Sequence, residues 1–163
     1  MYYKSMKILI TFILCLPILV NAVDLKLLKA LEQVESNGKV LVVGDRGKAY
    51  GCLQIWNVVI KDVNRISKSN YKHKDAFNRD KAFKIAEIYL NYWGKIYEKR
   101  TGKKVTNEVY ARIFNGGPSG YKKKSTIKYW NKVRRVLKWS FQKFKQSMNV
   151  KSQSPMWFCC ISI

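Results

Sequence analysis

The stretch Glu35-Ser36-Asn37-Gly38, with Gly44-Asp45-Arg46-Gly47-Lys48-Ala49-Tyr50-Gly51-Cys52-Leu53-Gln54-Ile55 a few residues on, marks where a helix gives way to a glycine-rich loop. Upstream, Asp24 is suited to cap a helix in which Leu28, Leu31 and Glu35 recur on one face. Downstream, Gly38, Gly44, Gly47 and Gly51 interrupt the helical pattern and leave room for a short strand at 40–43. The carboxyl group of Glu35 therefore stands at the end of an apolar helix face. Desolvation there favours its neutral form and raises its pKa, as a general acid working near neutrality requires. The glycines let backbone approach a bound ligand. Gln54 adds an amide suited to hold a ligand's hydroxyl or the acid itself. Taken alone, a glutamate at a helix end is an ordinary surface residue.

Past the loop, helical spacing predicts a second helix from near Asn57, with Val59, Val63 and Ile66 inward. The longest helix is expected from near Asn78, with Ala82, Ile85, Ala86, Tyr89, Trp93, Ile96 and Tyr97 on one stripe, and it should stop by Gly102. Thr106 caps a short helix that ends at Asn115-Gly116-Gly117-Pro118. A last helix from about Ser125 is expected to bury Ile127, Trp130, Val133, Leu137, Phe141 and Phe144. Trp56 reads as a core residue and His73 as a surface one. No internal repeat or interdomain linker interrupts the pattern. The fold class is mainly α, a single domain with at most a small β element.

A chain of 163 residues, 47% hydrophobic and 13% aromatic, is long enough and apolar enough for one globular core. Residues 1–22 have the form of a secretory leader: Lys4 and Lys7, an apolar run from Ile8 to Val20, and small residues at Val20-Asn21-Ala22. The run is too short to cross a hydrocarbon core of about 30 Å. Cys15 lies between Leu14 and Leu16 and is not read as a lipid-attachment site. The chain thus divides into a leader at 1–22, a domain at 23–147 and a C-terminal tail at 148–163, and the mature protein is expected to be secreted or periplasmic. The tail ends in a short apolar stretch from Met156, too brief to span a membrane.

Lys and Arg number 32 against 10 acids, a net charge of +22; removing the leader takes away two lysines and no acid, leaving +20. Such a charge draws an exported protein to polyanions. Fifteen Lys or Arg against Glu108 alone fall within residues 99–145, with Lys122-Lys123-Lys124 directly after the Asn-Gly-Gly-Pro turn. After the leader, Cys52, Cys159 and Cys160 remain; a disulfide from Cys52 to one of the terminal pair stays open, but no disulfide framework is implied. With His73 the only histidine, no metal site is expected, and no cofactor.

Several segments in family order carry a resemblance. Glu35-Ser36 and Gly51-Cys52-Leu53-Gln54 resemble the catalytic Glu-Ser and Gly-Leu-Met-Gln of the lysozyme-like superfamily, in particular the soluble lytic transglycosylases and goose-type lysozymes. Gly44-Asp45-Arg46-Gly47 is similar to the Gly-Asp-Arg-Gly of the goose-type enzymes. Ala111-Arg112-Ile113-Phe114-Asn115-Gly116-Gly117-Pro118 resembles Ala-Tyr-Asn-Ala-Gly-Pro, and Tyr129-Trp130-Asn131-Lys132-Val133 the Tyr-Val-x-Lys-Val segment whose tyrosine lies near the catalytic glutamate. The likeness covers roughly residues 25–137. Phe114 departs from the family's tyrosine, and Trp56 stands where goose-type lysozymes carry a second aspartate.

The resemblance implies a lysozyme-like fold and an enzyme that cuts peptidoglycan between N-acetylmuramic acid and N-acetylglucosamine. Glu35 would protonate the bridging oxygen; Ser36, Tyr50, Gly51, Gln54, Ile55, Asn115, Gly116 and Tyr129 would contact substrate. The loss at Trp56 favours a lytic transglycosylase, in which Glu35 turns from acid to base and a 1,6-anhydro end forms. The alternative is an inverting muramidase with Asp45 as its base. A binding module of the same fold, and a basic binder of nucleic acid or membrane, are the competing classes. The expected partners are glycan strands and anionic wall polymers, not nucleic acid, and the protein is expected to be a monomer.

Overall fold

The computed structural model describes residues 23–152; the readings of residues 1–22 as a leader and of the apolar end of the tail, with Cys159 and Cys160, lie outside them. Five α-helices occur among the described residues: α1 (Leu25–Ser36), α2 (Asn57–Ser67), α3 (Arg79–Thr101), α4 (Asn107–Gly116) and α5 (Thr126–Ser152). Between α1 and α2 lies an antiparallel sheet of three two-residue strands, β1 (Val43–Gly44), β2 (Ala49–Tyr50) and β3 (Ile55–Trp56), in the order β1-β2-β3.

Local chemistry sets the helix ends. The Asp24 carboxylate accepts from the Lys26 amide, Asn78 from Lys81 and Thr106 from Val109, so three helices start on side-chain caps. α1 stops at Asn37 and α3 at Gly102, both left-handed at the cap. Leu27, Leu28 and Leu31 of α1, Leu53 and Ile55 of the loop, Val63 of α2, Ile85 and Leu90 of α3, Ile113 of α4 and Val133 of α5 form one continuous core. Inside it, Cys52 is a buried thiol whose pKa burial pushes up to about 11.

Three expectations are corrected. The strand expected at 40–43 shrinks to Val43–Gly44, because β1 finds cross-strand partners only there, Val43 with Tyr50 and Gly44 with Ala49. The longest helix is α5, at 27 residues against 23 for α3. Within α5 the buried stripe is Tyr129 and Val133, with Trp130 and Leu137 half-buried. Ile127 lies off that stripe and is 42% exposed; Phe141 keeps the period but is 57% exposed, because an open groove shared with Lys26 and Lys29 of α1 lies beside it. The side chain of Phe144 lies outside those described.

Gly51 is where the loop most needs glycine. Its φ is +75°, and a Cβ placed there would lie 1.7 Å from the Ala76 carbonyl oxygen. Gly51→Ala should therefore cost about 3 kcal/mol, from left-handed strain plus a clash with backbone that cannot rotate away. Thermal unfolding followed by circular dichroism should show the midpoint falling by about 10 °C; an unchanged midpoint would mean that the turn and the Ala76 segment part freely.

Candidate active site

The sheet and two helix ends surround a cleft of about 380 Å³. Glu35 enters it from the last turn of α1, Asp45 from the turn after β1, and Trp56 from the end of β3. Val58, Val59 and Asp62 of α2 and Tyr89 of α3 line it further, and Phe114, Asn115, Gly117 and Pro118 come from the end of α4 and the turn beyond.

Glu35 is shaped for acid chemistry. Burial raises its pKa above the ordinary carboxyl value of 4.5. The Tyr129 hydroxyl, which donates to Glu35 Oε1 at 2.7 Å, pulls the other way; the charge of Asp45 raises the pKa further and Lys132 lowers it. Tyr129 keeps its proton, because burial and then the nearby Glu35 charge hold its own pKa well above 10. The result is a carboxyl group that holds its proton to higher pH than an ordinary carboxyl, with one oxygen fixed by a tyrosine and the group facing open cleft.

Asp45 is held by the sheet. The row Gly44–Ala49–Trp56 crosses the three strands, so Trp56 stands two strands from the residue that precedes Asp45. Its indole N–H donates to Asp45 Oδ2 at 3.1 Å, and Lys48 Nζ lies 5.9 Å from the indole ring. Trp56 is thus a cleft residue, 42% exposed, and not the core residue its hydrophobicity suggests. At Asp45 and Arg46 the backbone is left-handed, with φ of 47° and 55°, a strained turn that aims the carboxylate.

The other residues singled out in the sequence divide sharply. Asn115 lines the cleft with Glu35 and Asp45. Ser36 is buried and donates to the Glu32 carbonyl of its own helix at 3.4 Å. The Gln54 amide braces the hairpin, donating to the Gly51 carbonyl at 2.8 Å and the Val42 carbonyl at 3.4 Å, and its oxygen fills the space a side chain on Gly44 would take. Gly51 approaches Ala76 instead of the cleft. Ile55 is buried, and its carbonyl meets a ring nitrogen of His73 at 2.8 Å. The Tyr50 ring stacks on His73 at 3.8 Å, so His73 is a half-buried prop of the loop and not a surface residue. Gly116 packs against Thr126, and its carbonyl accepts from Lys123 Nζ at 2.7 Å.

Trp56, Val58 and Asp62 were not found by sequence reasoning. On α2, Asp62 lies four residues after Val58 and three after Val59, the spacings that bring helical side chains together.

A helical body with a small antiparallel sheet, and a cleft holding a desolvated glutamic acid beside an aspartate, defines a glycosidase of the lysozyme kind. The family model for the transglycosylase SLT domain matches residues 19–136, beginning just inside the stretch read as a leader. The lysozyme of Ostrea edulis is 28% identical over 134 residues, which span 80% of this chain and 93% of that protein. The lysozyme of Meretrix lusoria is 41% identical over 51 residues, a stretch covering 31% of this chain and 42% of that protein. In the crystal structure of that lysozyme with Aeromonas hydrophila PliI, 70% of this chain overlays 90% of the lysozyme-like chain at a TM-score of 0.58 and 29% identity. The Tapes japonica lysozyme, at 23% identity and a TM-score of 0.56, shares the fold over 69% of this chain and 89% of its own. The chain belongs to the transglycosylase SLT domain family of the lysozyme-like superfamily, as a glycosidase of the lytic transglycosylase or lysozyme type.

Proposed function

We propose that this protein cleaves the glycan strands of peptidoglycan at the N-acetylmuramic acid to N-acetylglucosamine β-1,4 bond, by hydrolysis, outside the cytoplasm. The observation that carries this reading is the pairing of Glu35, anchored by Tyr129, with Asp45, held by Trp56, in one cleft. Glu35 gives its proton to the bridging oxygen, and the N-acetylglucosamine side leaves with a free 4-hydroxyl. Asp45 takes a proton from the water that attacks C1 of N-acetylmuramic acid, so one water is consumed and a reducing end forms. Asn115 and the backbone at Gly117 bind the glycan along the groove. The lysines at 122–124, next to the turn that closes the cleft, attract anionic stems and wall polymers.

A second reading has its own support in the SLT family match. There the C6 hydroxyl of N-acetylmuramic acid attacks C1, the ionised Glu35 takes that hydroxyl's proton, and a 1,6-anhydro end forms without water. Mass spectrometry of digested peptidoglycan separates the two, because the products differ by one water. Reducing ends are expected; anhydro ends throughout would replace hydrolysis by transglycosylation, and intact strands would remove both.

A further inference from the structure

Helix α5 has two faces. The inner one, through Tyr129, Val133 and Leu137, rests on the body. On the outer one, at successive helical steps of three and four, stand Lys128, Lys132, Arg135, Trp139 and Lys143, with Lys138 at its edge, all exposed. The helix contains no acidic residue. The ion pairs among the described residues join Arg65 to Asp62, Arg79 to Glu32, Lys81 to Asp75, Lys84 to Glu87 and Arg112 to Glu108, and none draws on α5. In the middle of this uncompensated charge sits the indole of Trp139, 62% exposed, with Lys143 Nζ 5.1 Å from its ring centroid. The fold gains little by packing a side chain left so far in water, and the cleft does not use it.

We propose that the outer face of α5 docks on an anionic phospholipid bilayer, with Trp139 as the interfacial anchor. Charge complementarity selects an anionic partner, and the indole selects lipid over a soluble polymer. A polyanion chain is satisfied by cations alone. At a bilayer surface an indole settles at the headgroup boundary while flanking ammonium and guanidinium groups reach the phosphates. No helix among the described residues is long and apolar enough to cross a membrane, so the contact is peripheral. Each cation brought to an anionic leaflet strengthens binding about fivefold.

The test is co-sedimentation of the full chain with vesicles of phosphatidylglycerol and phosphatidylethanolamine, against vesicles of phosphatidylcholine, at low and high salt. Binding should be confined to the anionic vesicles and weaken with salt. The triple variant Arg135→Gln, Lys138→Gln, Lys143→Gln should bind about a hundredfold less. Trp139→Ala should lose about tenfold, together with the fluorescence quenching that brominated lipid produces in the parent. Cleavage of soluble glycan fragments should persist in both variants, which shows that they fold. Vesicle binding unchanged by both variants, or no binding to anionic vesicles, would overturn the proposal. Binding to soluble polyphosphate that needs the three cations but not Trp139, with no vesicle binding, would assign the face to wall polymers instead.

Discussion

Glu35→Gln should lower kcat for glycan cleavage by about 10² to 10⁴-fold, the usual loss when a positioned acid is removed. Glutamine has nearly the same shape, and its carbonyl oxygen still accepts from Tyr129, so the site keeps its geometry and loses only the proton. The same variant has a second signature, in stability. In the folded chain the Glu35 pKa lies above its ordinary 4.5, mainly because burial penalises the charged form. The stability tied to its neutral form is complete below the unfolded value and is lost as pH rises through the raised folded value. The parent should therefore lose stability across that window and Glu35→Gln should not. The difference in melting midpoint, variant minus parent, should grow more positive from acid toward neutral pH. A large loss of activity with no such drift would mean that the carboxyl is not desolvated as described; full activity would remove Glu35 from the mechanism.

The readability of this molecule from its sequence follows the range of the forces involved. Asp24, Asn78, Thr106 and Gly102 act within a turn of their own positions, and the helix ends they predict stand in the structure. Phe141 shows the limit of periodicity: the repeat that marks the buried stripe of α5 continues to a residue that only borders an open groove beside Lys26 and Lys29. Trp56 shows another limit. As a hydrophobic residue after Gln54-Ile55 it suggests core, and only the strand register, which pairs it with Ala49 and brings it beside Asp45, turns it to the cleft. The motif around Gly51 and Gln54 was visible as a pattern, but its geometry serves the hairpin: Gly51 clears the Ala76 carbonyl and Gln54 ties the loop to itself. Glu35 and Tyr129 are 94 positions apart, and no local rule joins them; only the order of the family segments placed them near each other before the coordinates did.

Asp45→Asn should cost about 10² to 10³-fold in hydrolysis, because asparagine cannot take the proton of the attacking water. Its position is preserved: an amide oxygen accepts from the Trp56 indole as the carboxylate does, so loss of charge is isolated from loss of place. The charge has a separate effect on its neighbour. Asp45 raises the Glu35 pKa, so its removal makes Glu35 easier to ionise. Activity that depends on protonated Glu35 falls as that group loses its proton, and the alkaline limb of the rate profile should move to lower pH in Asp45→Asn. Rate and profile together discriminate between the chemistries. If water is the nucleophile, kcat drops and the limb moves. If the C6 hydroxyl is the nucleophile and Glu35 serves as both acid and base, the limb moves but most of kcat remains, with 1,6-anhydro ends unchanged in amount. A variant in which neither rate nor limb changes would place Asp45 outside the electrostatic reach of Glu35, and the cleft would then work with one carboxylate.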